Sequence, residues 1–262
     1  MTSAADRQTF LKQYAIIRDA EGRGSADAAY YRSLPYADLS GRNTGQWRIR
    51  SKSFDHFLRR VIAPLEKTLR RPLDVLDLGA GNGWLCWRLA QRGHRAIALD
   101  IFTDDRDGLG AIRKYAETGA VAADFDHLPF ASASFDIAVY NASFHYSSDY
   151  VSTLKEVRRC LRPEGRIVIL DSPLYRKAEH GETMRRERQA FFEGIYGFRS
   201  EALSSIEYLD EPRLRQLSRD LGIEWSRSQP WYGWKWAVRP WLARLRGKRP
   251  PSRFFLVSGR FL

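Results

Sequence analysis

The part of the sequence best suited to hold a ligand has glycines at every second position, just after an acidic residue. The run is Asp77-Leu-Gly79-Ala-Gly81-Asn-Gly83, and it emerges from the apolar segment 73–78. Glycine lets the backbone turn sharply and approach a bound molecule closely. A helix beginning near Trp84 would direct its free N–H groups and the positive end of its dipole into the same space. The run therefore predicts a ligand cradle between a strand and a helix.

The end of the next apolar segment supplies a carboxylate to the same crevice. Asp100 closes the segment 95–100, seventeen residues after Gly83. Open α/β sheets bind ligands beyond the carboxyl ends of their strands, where a carboxylate can accept hydrogen bonds from both hydroxyls of a ribose. A nicotinamide or flavin dinucleotide requires Gly-x-Gly-x-x-Gly, whose third glycine would fall at Trp84. The spacing therefore disfavours a dinucleotide.

Short apolar runs alternate with helical patterns, which predicts a doubly wound α/β sheet with helices on both faces. Parallel strands buried on both faces read as continuous apolar runs, as these do. The predicted strands are residues 73–78, 95–100, 120–123, 135–140, 166–171, 223–226 and 254–258. The predicted helices are residues 10–20, 84–92, 109–118, 150–161, 182–192 and 211–221, with one more helix that Ser53 would cap and that would extend to Ile62.

The loop with its preceding Asp77 resembles motif I of the class I S-adenosylmethionine-dependent methyltransferases. The resemblance covers about residues 73–171 and extends to the fourth strand, at 134–139, and to the turn at 161–165. Arg166 replaces the second glycine of that turn, which is a small departure. The small-molecule and quinone-biosynthesis type is the most similar. The resemblance implies a Rossmann-like, seven-stranded domain at 71–262 and an N-terminal helical lid segment at 1–70.

The resemblance also implies a set of cofactor-binding residues. Asp100 would bind the ribose and Asp124 the adenine amino group, with Phe125 against the ring. Arg50, in the N-terminal segment, would meet the cofactor carboxylate. Asp77 either faces the cofactor or holds the loop through backbone hydrogen bonds. The implied S-adenosylmethionine site comprises Arg50, Asp77, Gly79, Ala80, Gly81, Asn82, Gly83, Asp100, Ile101, Asp124, Phe125 and Asn141.

Methyl transfer from a sulfonium requires the nucleophile, methyl carbon and sulfur to be held in line. A phenol or alcohol acceptor also benefits from a general base. His145, just beyond the fourth strand, is the candidate catalytic base, because its ordinary pKa suits that role; the alternative is a pocket-wall residue. Tyr146, Asp171 and Tyr175 are candidate substrate-pocket residues. No metal is expected, since Asp171 alone is too little to hold one.

Several subclasses do not fit the sequence. Enzymes that methylate amino groups of nucleic acids carry prolines after the fourth strand, whereas this chain has Asn141-Ala-Ser-Phe144. Neither Cys86 nor Cys160 lies in the context of a cytosine C5 nucleophile. With two cysteines, no apolar run of membrane-spanning length and no signal-peptide pattern, a cytoplasmic location is expected.

A basic, tryptophan-rich insertion is predicted at about 227–252, between the last two strands. From 225 to 262 there are nine Lys or Arg residues and no Asp or Glu, against a net charge of +12 for the chain. Such a segment suits a packed lid, a peripheral contact with an anionic membrane, or stacking with nucleobases and phosphates.

The sequence as a whole predicts S-adenosylmethionine-dependent methyl transfer to a small-molecule or lipid-like acceptor, with O-methylation favoured. The insertion is the feature that favours an amphipathic acceptor and a membrane-peripheral location. The alternatives are a methyltransferase that binds nucleic acid and a cofactor-binding module without activity.

Overall fold

Apolar strands buried on both faces form the centre of the fold, as the sequence predicts. The computed structural model describes residues 4–115, 118–199 and 201–262. The strands of its main sheet are β1 (Asp74–Leu78), β2 (Arg95–Asp100), β3 (Gly119–Ala122), β4 (Phe135–Asn141), β5 (Leu161–Leu170), β8 (Ile223–Ser228) and β9 (Leu256–Phe261). They lie in the order β3-β2-β1-β4-β5-β9-β8, and β9 alone runs antiparallel to the direction of the other strands. The predicted doubly wound α/β class is confirmed.

A second, two-stranded sheet pairs β6 (Leu174–Tyr175) with β7 (Leu209–Asp210). The α-helices are α1 (Ala4–Ala20), α2 (Ala28–Ser33), α3 (Thr44–Phe57), α4 (Ala63–Leu69), α5 (Trp84–Ala90), α6 (Tyr150–Cys160), α7 (Ala178–Tyr196), α8 (Glu211–Leu221), α9 (Trp234–Ala237) and α10 (Arg239–Leu245). A π-helical turn, Leu58–Ile62, joins α3 to α4, and 3-10 turns occupy Leu109–Lys114 and Phe144–Tyr146. Within the described ranges, no helix has the length and apolar character needed to cross a membrane.

Alternating side chains of the strands build one apolar core on each face of the sheet. Val75 and Val139 pack on the face covered by α2 to α5, with Phe54 and Trp84. Leu76, Tyr140 and Ile169 are among those on the opposite face, which α6 and α8 cover. The helices therefore cover both faces of the sheet. The loops at the carboxyl ends of the strands remain available to form a binding site.

Two local predictions were wrong. Ser53 does not cap a helix; it lies within α3, because the buried face of that helix begins at Trp47 and the Ser53 hydroxyl bonds to Asp171 instead. The predicted helix at 109–118 is a 3-10 turn that ends at Lys114. Gly110 is packed so tightly that an added Cβ would lie 2.8 Å from the carbonyl oxygen of Thr103. Residues 116 and 117 of that prediction lie outside the described residues.

Because β9 is antiparallel to both β5 and β8, β8 runs parallel to the first five strands. Its carboxyl end therefore lies at the same edge of the sheet as those of β1, β2 and β4. The segment 229–255 leaves β8 at this edge and returns to β9.

A buried carboxylate at the opposite edge holds three strands together. Asp136, 5% exposed, accepts two hydrogen bonds from Arg71 at 2.8 and 2.7 Å and one from Arg162 at 2.8 Å. The amide of Asp74, at the start of β1, donates a further bond of 2.8 Å. Burial by itself raises the pKa of Asp136, but these bonds outweigh it and lower the pKa below its usual value. The carboxylate thus ties β1, β4 and β5 at their ends.

We expect Asp136→Ala to lower the free energy of unfolding by about 2–4 kcal/mol, since it removes charged hydrogen bonds and leaves the amide of Asp74 without this acceptor. Because the folded-state pKa is lowered, this contribution is present at neutral pH and is lost as the pH falls through that pKa. Urea denaturation at pH 7 measures the effect. Glu164→Ala is the control, because Glu164 pairs with Arg260 but is 80% exposed, and should cost less than about 1 kcal/mol. Equal losses in the two variants would contradict the prediction.

Candidate functional site

A cavity lies at the carboxyl ends of β1, β2 and β4, where the sequence predicts the ligand. The glycine loop forms one wall, and the residues that follow β2 and β3 form another. The segment after β4, from Asn141 to Ser148, forms a third, and α1 lies across the cavity. Of the implied cofactor-binding residues, those that line the cavity are Arg50, Gly79, Ala80, Gly81, Asn82, Asp100, Ile101, Asp124, Phe125 and Asn141.

The glycines of the loop are required by positive φ angles and by close packing. Gly79, with φ +73°, would place a Cβ 2.4 Å from Cβ of Ser143, and Gly83, with φ +76°, would place one 2.6 Å from Ile112. Gly81, with φ +54°, faces more open space, since the nearest atom to its Cβ position is a carbonyl oxygen at 3.8 Å. The outer glycines pack the loop against its neighbours, while the middle one keeps the cavity floor clear for a ligand.

Asp100 joins the glycine loop to the end of β2. Its Oδ2 accepts the amide of Gly81 and its Oδ1 the amide of Phe102, both at 2.8 Å. Burial raises the pKa of Asp100, against the opposing effect of these backbone donors. The carboxylate lines the cavity and has acceptor capacity left for the two hydroxyls of a ribose.

Asp77 lies beneath the loop and does not line the cavity. It is 1% exposed, and its Oδ2 lies 3.7 Å from the thiol of Cys86. In the described part of the chain, no donor reaches its Oδ1, so the backbone bonds expected of a loop-fixing residue are not formed there. Burial raises the pKa of Asp77 to about 7. Such a carboxyl adds negative charge below the cavity when it ionises.

One face of α1 covers the cavity, and none of its side chains is among the residues predicted for the site within the lid segment 1–70. Arg7, Phe10, Tyr14 and Arg18 line the cavity from positions three or four residues apart. Arg7 lies 2.5 Å from the Asp124 carboxylate, and Arg18 pairs with the buried Asp107. The helical spacing of these four side chains indicates that they share one face, but not that this face covers a cavity.

Arg50 and Tyr146 lie where the sequence predicts, on the cavity wall. Arg50, on α3, is half-buried beside the ring of Trp47. Burial lowers its pKa, and the negative charge of Asp171 opposes that effect. Tyr146 is packed with Phe10 and Tyr14 at centroid distances of 6.1 and 6.3 Å. The cavity therefore has a cationic wall and an aromatic end.

His145, Asp171 and Tyr175 are not among the described residues that line the cavity, and neither is Gly83. His145 is buried, with Nδ1 3.2 Å from the hydroxyl of Ser172. Burial, assisted by the nearby positive charges of Arg188 and Arg50, lowers its pKa to about 3. Tyr175 contacts Arg249, in the segment between β8 and β9. In the described ranges, no three His, Cys, Asp or Glu side chains are grouped to hold a metal ion.

Comparison with known proteins gives a consistent family. A methyltransferase-domain family model matches residues 76–169. The chain is 34% identical over 106 residues to malonyl-[acyl-carrier protein] O-methyltransferase 1 of Coxiella burnetii, a match of 40% of this chain and 36% of the relative. It is 30% identical over 162 residues to demethylmenaquinone methyltransferase of Thermus thermophilus, which covers 58% of this chain and 70% of the relative.

A solved structure shares the fold. It is the 1,6-didemethyltoxoflavin-N1-methyltransferase of Burkholderia thailandensis, with 1,6-didemethyltoxoflavin and S-adenosylhomocysteine bound. The TM-score is 0.53 at 18% identity, over 99% of this chain and 92% of the other. Together with the glycine loop and the acidic residues at the strand ends, these similarities identify the chain as a member of the class I S-adenosylmethionine-dependent methyltransferases, with S-adenosylmethionine as its cofactor.

Proposed function

We propose that this protein transfers the methyl group of S-adenosylmethionine to an oxygen atom of a small-molecule or lipid-like acceptor. The observation that supports this best is one continuous cavity with the glycine loop and Asp100 on one side and the aromatic group of Phe10, Tyr14 and Tyr146 on another. The bound cofactor supplies a methyl group activated by its sulfonium. The aromatic group suits a planar or apolar acceptor. One of the relatives is itself named as an O-methyltransferase.

In this proposal, different residues on the cavity wall bind different parts of the cofactor. Asp100 and Ile101 hold the ribose, Asp124 and Phe125 the adenine, and Arg50 the carboxylate. The glycine loop and Asn141 approach the cofactor closely, and the raised pKa of the underlying Asp77 tunes the charge below it. Arg7 is bonded to Asp124, so α1 acts as a lid that must move when the cofactor enters or leaves.

The acceptor end is built mainly by α1 and by the segment after β4. Tyr146 belongs to this end. Asp171 and Tyr175 do not line the cavity, and their role as substrate-pocket residues stays a prediction. The role of His145 as general base stays a prediction, and its surroundings favour the alternative. An imidazole whose pKa is about 3 is neutral at physiological pH and only weakly basic. An acceptor whose oxygen ionises easily would need no strong base.

A peripheral contact with an anionic membrane is the second part of the proposal. Trp231 is 60%, Trp234 78% and Trp241 63% exposed, so these rings are not the core of a packed lid. The same segment is rich in Lys and Arg and has no acidic residue. Exposed tryptophans with flanking cations suit the headgroup layer of a bilayer. The segment starts at the cavity edge of the sheet, so a membrane-bound acceptor would arrive close to the cavity. The names of the relatives do not favour a nucleic-acid acceptor.

We expect calorimetry to detect binding of S-adenosylhomocysteine to the wild-type protein and a dissociation constant at least about tenfold higher for Asp100→Ala. The variant loses a charged acceptor for the ribose hydroxyls, worth about 1.5–3 kcal/mol. Asp105→Ala is the control, because Asp105 is an exposed loop residue paired with Arg113. No binding to the wild type would reject the cofactor assignment, and unchanged affinity in Asp100→Ala would reject the role of Asp100.

Turnover is tested by incubating the protein with methyl-labelled S-adenosylmethionine and extracts of small metabolites and lipids. With the labelled acceptor in hand, we expect His145→Gln to reduce kcat less than tenfold and to leave the pH profile unchanged, because the buried imidazole is a poor base. A fall of about 10²–10⁴ with loss of the basic limb would instead establish general-base catalysis. Labelling confined to nucleic acid would overturn the acceptor class.

We expect the protein to sediment with phosphatidylglycerol vesicles at low salt and to be released by high salt, since surface charge attraction is screened. Replacing Trp231, Trp234 and Trp241 together by Ala should reduce binding at least about tenfold, because exposed rings no longer enter the headgroup layer. Phosphatidylcholine vesicles and the exposed Phe191→Ala variant are the controls. Failure of the wild type to bind at low salt would reject the membrane contact without affecting the methyltransferase assignment.

A further inference from the structure

A chain of hydrogen bonds connects the tryptophan-rich segment, residues 229–255 between β8 and β9, to the end of β5. Tyr232 belongs to the segment after β8, Ser53 to α3, and Asp171 follows the last residue of β5. The Ser53 Oγ lies 2.5 Å from Oδ1 of Asp171 and 2.9 Å from the hydroxyl of Tyr232. Three elements far apart in sequence therefore meet through two hydrogen bonds.

The directions of these bonds follow from the number of protons available. An ionised Asp171 accepts only, so Ser53 donates its one hydroxyl proton to the carboxylate. The Ser53 oxygen must then accept from Tyr232. Tyr232 thus donates to Ser53, and Ser53 donates to Asp171. If Asp171 lost its charge, these directions would no longer be required.

The surroundings of Asp171 are unfavourable for a charged carboxylate. It is 7% exposed, has φ +51°, and its Oδ2 has no donor among the described residues. Aspartate enters this left-handed region more readily than most residues, so the backbone angle itself is tolerated, whereas the buried charge needs stabilisation. Burial raises the pKa of Asp171, and two things oppose this, first the positive charge of Arg50 and then the bond from Ser53. The ionised form thus depends on Arg50 and on the hydroxyl chain together.

Arg50 connects this group to the cofactor cavity. It is three residues before Ser53 on α3, so the two side chains share one side of the helix. It lines the cavity, which Asp171 does not. The positive charge of Arg50 acts on Asp171 from a distance, because the two side chains form no ion pair among the described residues. A ligand carboxylate bound at Arg50 would add a second negative charge near the same guanidinium.

We propose that Tyr232, Ser53 and Asp171 form a positioning relay that couples the binding of the cofactor at Arg50 to the order of the tryptophan-rich segment. The proposal rests on the proposed role of Arg50. A ligand carboxylate bound at Arg50 offsets part of the positive charge that favours ionised Asp171, so the hydroxyl donors supply a larger share of what stabilises that charge. The bond from Tyr232 then strengthens and the segment is held more firmly. Coupling of this kind is reciprocal, so an ordered segment favours the bound cofactor.

Amide hydrogen exchange of peptides within 229–253 tests the relay, with S-adenosylhomocysteine as the probe. We expect saturation with the probe to slow exchange of these peptides at least about threefold in the wild type, in line with a coupling of modest size. Tyr232→Phe removes only the hydroxyl and should abolish the slowing. Asp171→Asn keeps the size of the side chain, is tolerated in the left-handed region, and should abolish it too.

Ser228→Ala is the matched control. It removes the bond of 2.8 Å between Ser228 and His56, which also joins the base of the segment to α3 but does not involve Asp171. The slowing should persist in this variant. Exchange that does not slow in the wild type, or that slows equally in Tyr232→Phe, overturns the relay.

A second measurement separates the relay from a loss of local structure. By reciprocity, Tyr232→Phe should raise the dissociation constant of S-adenosylhomocysteine about threefold, while Ser228→Ala leaves it unchanged. Equal affinities for wild type and Tyr232→Phe would also overturn the relay. If the wild type does not bind the probe at all, the proposed function fails first. Binding without any effect on the segment rejects the relay alone.

Discussion

The parallel alignment of β1, β2, β4 and β5 is the constraint on which the rest of the structure depends. It brings the carboxyl ends of strands that are far apart in sequence to one edge of the sheet. The glycine loop, Asp100 and Asn141 meet there because each follows or ends one of these strands. Because β9 is antiparallel to both of its neighbours, β8 runs parallel to these strands, and the tryptophan-rich segment that follows β8 starts at the same edge. Asp136 holds three of the strands together at the opposite edge.

Charge in the cavity wall is arranged as pairs. Arg7 contacts Asp124 and Arg18 contacts Asp107. Both pairs join α1 to a loop of the sheet, so these charges hold α1 over the cavity as well as neutralising one another. The charged groups of a zwitterionic ligand can each replace one member of such a pair, so that few charges are left unpaired. In the proposed binding mode, ligand binding and the position of α1 would therefore depend on each other.

The tryptophan-rich segment combines two kinds of ring. Trp236 is packed between Tyr232 and Phe254, with the guanidinium of Arg239 3.8 Å from its ring centroid. Trp234 and Trp241 point away from the protein and are more than half exposed. The inner rings anchor the segment near the relay, and the outer rings are free to contact a surface. Composition alone could not separate these two groups, because tryptophan is equally suited to both.

By itself the sequence determined the sheet, the glycine loop and the strand-end residues Asp100 and Asp124, because each depends on a local pattern of apolar residues, glycines and acids. Only the tertiary structure decided that one face of α1 covers the cavity, that Ser53 bonds to Asp171, and that His145 is buried with a pKa of about 3. Those features depend on which distant segments pack together and on how much water they exclude. Burial and long-range pairing change the chemistry of a side chain without changing the residues next to it in sequence.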